Sequence, residues 1–156
     1  MFHRWAALVL VLALCAISPK NAAGQTQSQT PRGHSAGGIG SSFPNPFNPD
    51  THILFSVGDP SCTGASEQHV VSVRILNVLA QPVAIPKLEG GVANTTNVPQ
   101  SMQVPITNLT VGCGNYAAYW NGRITRTGRE AASGVYAVQL FVDNVLVSTS
   151  KIYYAK

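Results

Sequence analysis

Gly33-His34-Ser35-Ala36-Gly37 fits the G-x-S-x-G spacing of a nucleophile elbow. Such an elbow works because a strand before the serine and a helix after it hold a strained turn that exposes the hydroxyl. Neither flank, 25–32 nor 38–49, has the pattern of a strand or helix, and 156 residues are too few for a hydrolase sheet of that type. A small secreted hydrolase built on Ser35 is therefore the weakest reading. His34, His52 and His69 show no H-x-x-x-H pairing and are expected to be isolated surface residues. Only a meeting of His52 and His69 across two sheets would favour zinc. Asp50, Asp59, Glu67, Glu89, Glu130 and Asp143 are scattered beside Gly, Pro or Asn, so no carboxylate pair for acid–base work stands out. Gly37-Gly38-Ile39-Gly40 lacks the following Lys-Ser/Thr and helix of a phosphate cradle. The expectation is no catalytic residue, no cofactor and no metal ligand.

The cysteines carry more information. Arg4 precedes an apolar run from Ala6 to Ile17, Pro19 breaks it, and Asn21-Ala22-Ala23-Gly24 supplies small residues, the layout of a secretory signal. The run is shorter than the ~20 apolar residues a membrane-spanning helix needs. Cleavage is expected near Gly24-Gln25. Cys15 then lies in the apolar run, and bulky Leu14 before it argues against lipidation. Cys62 and Cys113 remain, an even pair in an exported chain, which suggests a disulfide. Neither belongs to a C-x-x-C pair or has a basic cluster beside it to activate a thiolate. Of the chain's ten Lys/Arg, Arg4 and Lys20 lie in the signal, so the mature part has eight against six acids. No basic patch forms, and nucleic acid is not an expected partner.

The elements that must position these residues follow a period of two. Residues 25–42, rich in Gln, Ser, Thr and Gly, read as a flexible leader. Phe43-Pro44-Asn45-Pro46-Phe47-Asn48-Pro49 is a stiff segment whose phenylalanines pin it to a core. Ile53, Phe55 and Val57 share one face; Val71, Val73 and Ile75 share another; Pro82–Ile85 and Tyr116–Trp120 are further extended pieces. Val135–Val142 places Tyr136, Val138 and Leu140 on one side, Asp143-Asn144 turns, and Val145–Tyr154 returns as a hairpin. No helical period appears after the signal. Six or seven such strands predict an antiparallel two-sheet sandwich over 43–156. Uncharged Gly90–Gly112, with Pro99 and Pro105, reads as a long Asn/Thr-rich insertion with one strand around Met102–Ile106. Trp120 offers a large core surface and an N–H that needs a partner. Tyr116, Tyr119, Tyr153 and Tyr154 are candidates for a contact surface.

Four pieces in order resemble one family: FPNPFNP at Phe43–Pro49 with Thr51, Ile53 and Phe55; V-x-I-x-N-x-L-x-Q-x-V from Val73 to Val83; Trp120-Asn121-Gly122-Arg123 with Gly128; and Ala132-Ser133-Gly134-Val135-Tyr136 before a closing strand ending in Lys151–Lys156. The set is similar to the immunoglobulin-like domain of flagellar hook-capping proteins and to the C-terminal sorting domain of type IX secretion substrates. The resemblance covers Phe43–Lys156 apart from the insertion. It implies an immunoglobulin-like (fibronectin III-like) sandwich of about seven strands that is not an enzyme. Its implied role is protein contact, sorting or anchoring at the periplasm, outer-membrane surface or exterior, its partners being export machinery or neighbouring subunits. A structural module of an extracellular appendage is the alternative. The chain departs from the family at Ala80, where Gly is favoured, and at Asn121 and Ile124, where acids are common; the acidic turn has thereby lost the hard oxygens a cation would take. Type IX substrates also carry a cargo domain ahead of the motif, where this chain has a leader of about twenty residues.

Overall fold

The computed structural model describes residues 37–59, 61–62, 67–90 and 103–156. The expected signal peptide with Cys15, the leader up to Ala36 with His34 and Ser35, and most of the insertion lie outside the described residues. The described chain is all-β. In order the strands are β1 (Gly37–Phe43), β2 (Thr51–Val57), β3 (Gln68–Leu76), β4 (Pro82–Ala84), β5 (Lys87–Glu89), β6 (Leu109–Gly112), β7 (Gly114–Trp120), β8 (Gly134–Val142) and β9 (Val145–Tyr154). One antiparallel sheet runs β1-β2-β7-β5. The other runs β4-β3-β8-β9, with β6 also paired to β3.

Alternation decides which side chains meet. On β2 every second residue, Thr51, Ile53, Phe55 and Val57, is buried. On β8 the buried row is Tyr136, Val138, Leu140 and Val142. These rows join Val71, Val73 and Ile75 of β3 and Tyr116, Ala118 and Trp120 of β7 in one core drawn from both sheets. The β8–β9 hairpin closes through Asp143 and Asn144, both at positive φ (51° and 65°). That pair of left-handed residues is what a two-residue hairpin turn demands, and Asp and Asn tolerate it.

Two expectations are corrected. The leader does not extend to residue 42: Gly37–Phe43 is a strand whose Gly37, Gly38 and Ile39 pair with Val57, Ser56 and Phe55. Its composition gives no apolar alternation because backbone pairing along the open edge of β2, rather than burial, holds it. Only Ile39 packs against the core. The strand expected in the insertion lies at Leu109–Gly112 rather than around Met102–Ile106. Ile106 is 1% exposed, and its carbonyl accepts from Val73 N (3.0 Å) while its N–H donates to Pro86 O (3.0 Å). Leu88 N donates to Val104 O at 2.7 Å. Val104–Ile106 thus stitches β5 of one sheet to β3 of the other, and β6 adds itself to β3.

Ala80 sits at φ 58° in the turn between β3 and β4, where Asn77 Oδ1 accepts from Leu79 N and Gln81 N, each at 3.0 Å. A left-handed alanine costs roughly 1–2 kcal/mol, partly offset by the greater freedom glycine has when unfolded. Ala80→Gly is therefore expected to stabilise the chain by about 0.5–1 kcal/mol, read as a higher urea midpoint at unchanged slope.

Candidate functional site

The motif segments, up to about a hundred residues apart in sequence, meet at one end of the two sheets. Asn45 and Phe47 fold against the last strand. Phe47 N donates to Tyr153 O at 2.9 Å, Ala155 N to Phe47 O at 3.0 Å, and Tyr153 N to Asn45 Oδ1 at 2.9 Å. Pro44 O accepts from Thr51 Oγ1 at 2.8 Å, fixing the segment to the start of β2. The clasp is thus a parallel bridge between Phe47 and Tyr154 reinforced by a side-chain cap. Pro46, Asn48 and Pro49 stay exposed on its outer surface.

Beneath it lies an aromatic cluster. Phe47 stacks on Tyr154 with centroids 4.7 Å apart and tilts onto Trp120 at 5.2 Å. Trp120 meets Tyr136 edge-on at 5.1 Å. The Trp120 N–H finds its partner in Arg123 O at 2.9 Å. That partner is supplied by a tight excursion: Asn121 Oδ1 accepts from Arg123 N at 3.2 Å, Ala131 N donates to Gly122 O at 2.8 Å, and Arg123 Nη1 donates to Gly128 O at 3.0 Å. Gly122 (φ 68°) is tied to its place twice over, since a Cβ there would stand 2.5 Å from Pro49 O and 3.2 Å from the Tyr154 ring.

The chain end completes the site. Tyr154 OH donates to Glu130 Oε1 at 2.5 Å, Lys156 Nζ lies 3.3 Å from Glu130 Oε2, and Lys156 N donates to Ser133 Oγ at 3.2 Å. Gly134 opens β8, and Val135 pairs with Tyr153 on the outward face, where Tyr153 is 46% exposed. Lys151 is exposed on the same row. Tyr116 and Tyr154, expected at a contact surface, face inward instead; both fall in the buried phase of their strands. Tyr119 is half-buried, its hydroxyl donating to Asp50 Oδ2 at 2.9 Å. Beside Trp120 a groove of about 510 Å³ is lined by Ile85, Lys87, Pro105, Tyr119 and Arg123.

The sequence does not point to Glu130 as a site residue, and it offers Tyr154 as an outward contact residue rather than as the partner of Glu130. Glu130 reads as a solvated turn next to Arg129, and its partners lie 24 and 26 residues downstream. The signal that Tyr154 points inward is its phase with Ile152.

Burial, reinforced by the Glu130 carboxylate, pushes the Tyr154 hydroxyl from 10.0 up to about 12. Burial also raises Tyr116 and Tyr136. A hydroxyl held neutral more firmly in the folded than in the unfolded chain stabilises the fold fully below the unfolded value. That contribution is lost as pH rises from about 10 toward about 12. The Glu130 carboxyl is held below its ordinary range by the Tyr154 hydroxyl and then Lys156, so its contribution is lost only in acid. The urea midpoint should stay level up to about pH 10 and fall above it, and less steeply in Tyr154→Phe.

The two cysteines lie at the opposite end of the sheets, joined as a disulfide with Cα atoms 6.1 Å apart. His52 and His69 do not come together. His52 Nδ1 faces Glu89 Oε2 at 2.5 Å on one sheet, and His69 Nδ1 faces Asp143 Oδ2 at 2.8 Å on the other. Among the described residues no helix is long and apolar enough to cross a membrane.

No protein-family model matches the chain, and no curated protein matches it. Among solved structures it is similar to the Pseudomonas fluorescens alkylpurine DNA glycosylase AlkC bound to DNA containing an abasic site analogue. The TM-score is 0.46 and the identity 12%, over 78% of this chain and 31% of that one. A likeness this loose says nothing about what the chain does.

Proposed function

We propose that the chain is a non-enzymatic, exported immunoglobulin-like module that works by protein contact at the cell envelope, in the manner of a type IX sorting domain. The observation that carries this reading is the clasp. The FPNPFNP segment, the Trp120 turn, the Ser133-Gly134 turn and the closing strand, which make up most of the family resemblance, gather at one end of the fold. Their buried members, Phe47, Trp120, Tyr136 and Tyr154, build that end. Their exposed members, Asn48, Pro49, Val135, Lys151, Tyr153 and Lys156, offer apolar, aromatic and cationic groups for a partner to read. The signal-like start and the disulfide suit an oxidising compartment. The elbow geometry also fits poorly, since a strand rather than a helix begins at Gly37.

Fractionation of cells tests the proposal. In a bacterium with an intact type IX translocon the full chain should reach the cell surface and be cleaved by added protease. In the same strain without the translocon it should accumulate, folded, in the periplasm. Equal surface display in both strains would reject the sorting role, and co-purification with appendage filaments would favour the hook-capping alternative.

A further inference from the structure

We propose that the Cys62–Cys113 end is a redox-gated metal site, in which the reduced sulfurs, His69 and Glu67 take a thiophilic divalent cation such as Zn²⁺. Both sulfurs and a ring nitrogen of His69 lie within 4.8 Å of one another. The second observation is the state of the imidazole. His69 Nδ1 is 2.8 Å from Asp143 Oδ2, and Asp143 is itself fixed: its Oδ1 accepts from Val70 N at 2.9 Å, and its own N–H donates to Val70 O at 2.8 Å. The Asp143 carboxylate thus occupies Nδ1 and leaves Nε2 as the ring nitrogen outside that contact. Nε2 is buried and has no hydrogen-bond partner among the described residues. A buried polar nitrogen without a partner is costly. A histidine whose far nitrogen is held by a carboxylate is the usual arrangement behind a metal ligand.

The surroundings fit. Glu67 Oε2 stands 3.1 Å from Cys62 Sγ, giving a set of two sulfurs, one nitrogen and one oxygen suited to tetrahedral zinc. Gly58, at φ 87°, leaves the sulfurs bare on one side: a Cβ there would stand 2.7 Å from Cys113 Sγ and 3.0 Å from Cys62 Sγ. A cavity of about 350 Å³, lined by Gly58, Asp59, Cys62, Gly114 and Asn115, opens onto that side. Zinc–sulfur bonds of about 2.3 Å in a tetrahedron set the sulfurs roughly 3.8 Å apart, so the disulfide and the metal exclude each other. Reduction by a trialkylphosphine breaks the S–S bond. Each sulfur gains a hydrogen, and the phosphine becomes its oxide with oxygen from water. The cation then displaces the thiol protons to solvent. The metal keeps the same two loops tethered when the covalent bond is open. None of this depends on the contact role proposed above.

Cobalt titration of the full chain, oxidised and phosphine-reduced, is the test. The reduced chain should take up one equivalent of Co²⁺ with thiolate charge-transfer absorption and the visible bands of a tetrahedral site, and Zn²⁺ should bleach both. The oxidised chain should show neither. His69→Ala should weaken binding at least tenfold and Asp143→Asn by about 10–100-fold. A reduced chain that keeps its strand circular dichroism yet shows no thiolate band would overturn the proposal, as would His69→Ala binding as tightly as the unsubstituted chain. If reduction alone unfolds the chain, Zn²⁺ must restore the strand signal; failure to do so overturns it equally.

Discussion

Replacing Trp120 with alanine is expected to cost about 3–5 kcal/mol of stability, the range for removing a large buried aromatic. The side chain is 2% exposed and touches Phe47, Tyr136 and Tyr154, which arrive from three other parts of the chain. Its loss would leave a void where those segments converge and would also deprive Arg123 O of the Nε1 donor. Against a total of about 5–15 kcal/mol for a domain, this is enough to leave much of the population unfolded at 37 °C. Trp120→Phe keeps most of the ring contact but not the N–H donor, and should cost less, about 1–3 kcal/mol. Urea unfolding of the oxidised protein measures both. A cost below about 1 kcal/mol for Trp120→Ala would show that the clasp is not part of the cooperative core.

Opening the Cys62–Cys113 bond is expected to have an effect of similar size. The bond spans 51 residues, a closure that the chain-entropy model values at about 4 kcal/mol. The Cα separation of 6.1 Å falls within the ordinary range for a bridge. The enclosed segment contains β3, β4, β5 and β6, so the bond restrains strands of both sheets. A Cys62→Ser, Cys113→Ser double variant should unfold at correspondingly lower urea when measured with a chelator present, so that no cation substitutes for the cross-link. An unchanged midpoint would mean that the loop is already closed by residual structure in the unfolded chain.

Much of this fold is legible because burial writes a period of two. Ile53, Phe55 and Val57 announce β2, and Tyr136, Val138 and Leu140 announce β8, because one face of each is in the core and the other is wetter. The Asp143-Asn144 turn is legible because few residues accept two left-handed conformations in a row. Gly37–Phe43 is not, because an edge strand held by backbone pairing needs no apolar row. Ile106 is one buried residue in a polar stretch, and its role depends on two strands that the local sequence does not specify. At the clasp, the aromatic residues were visible one by one, whereas Glu130 was hidden because its partners sit at the chain end. His69 reads as an isolated surface residue because Asp143 and the cysteines approach it only through tertiary pairing. Ala80 shows the reverse case. A departure from the family's glycine is readable in sequence, and its left-handed backbone gives that departure a cost.

On the proposed reading, the outer surface of the clasp, rather than any other surface of the domain, is what the envelope machinery contacts. Surface-protease accessibility of the full chain in a translocon-competent cell tests it most directly, comparing two double variants with the unsubstituted chain. Lys151→Ala with Tyr153→Ala removes outward side chains of the clasp strand, and Asn144→Gly with Val145→Thr alters the turn at the far end. With urea midpoints matched, the account predicts that the first pair leaves the chain inside the outer membrane while the second reaches the surface like the unsubstituted protein. Normal surface display of the first pair, or equal retention of both, would contradict it.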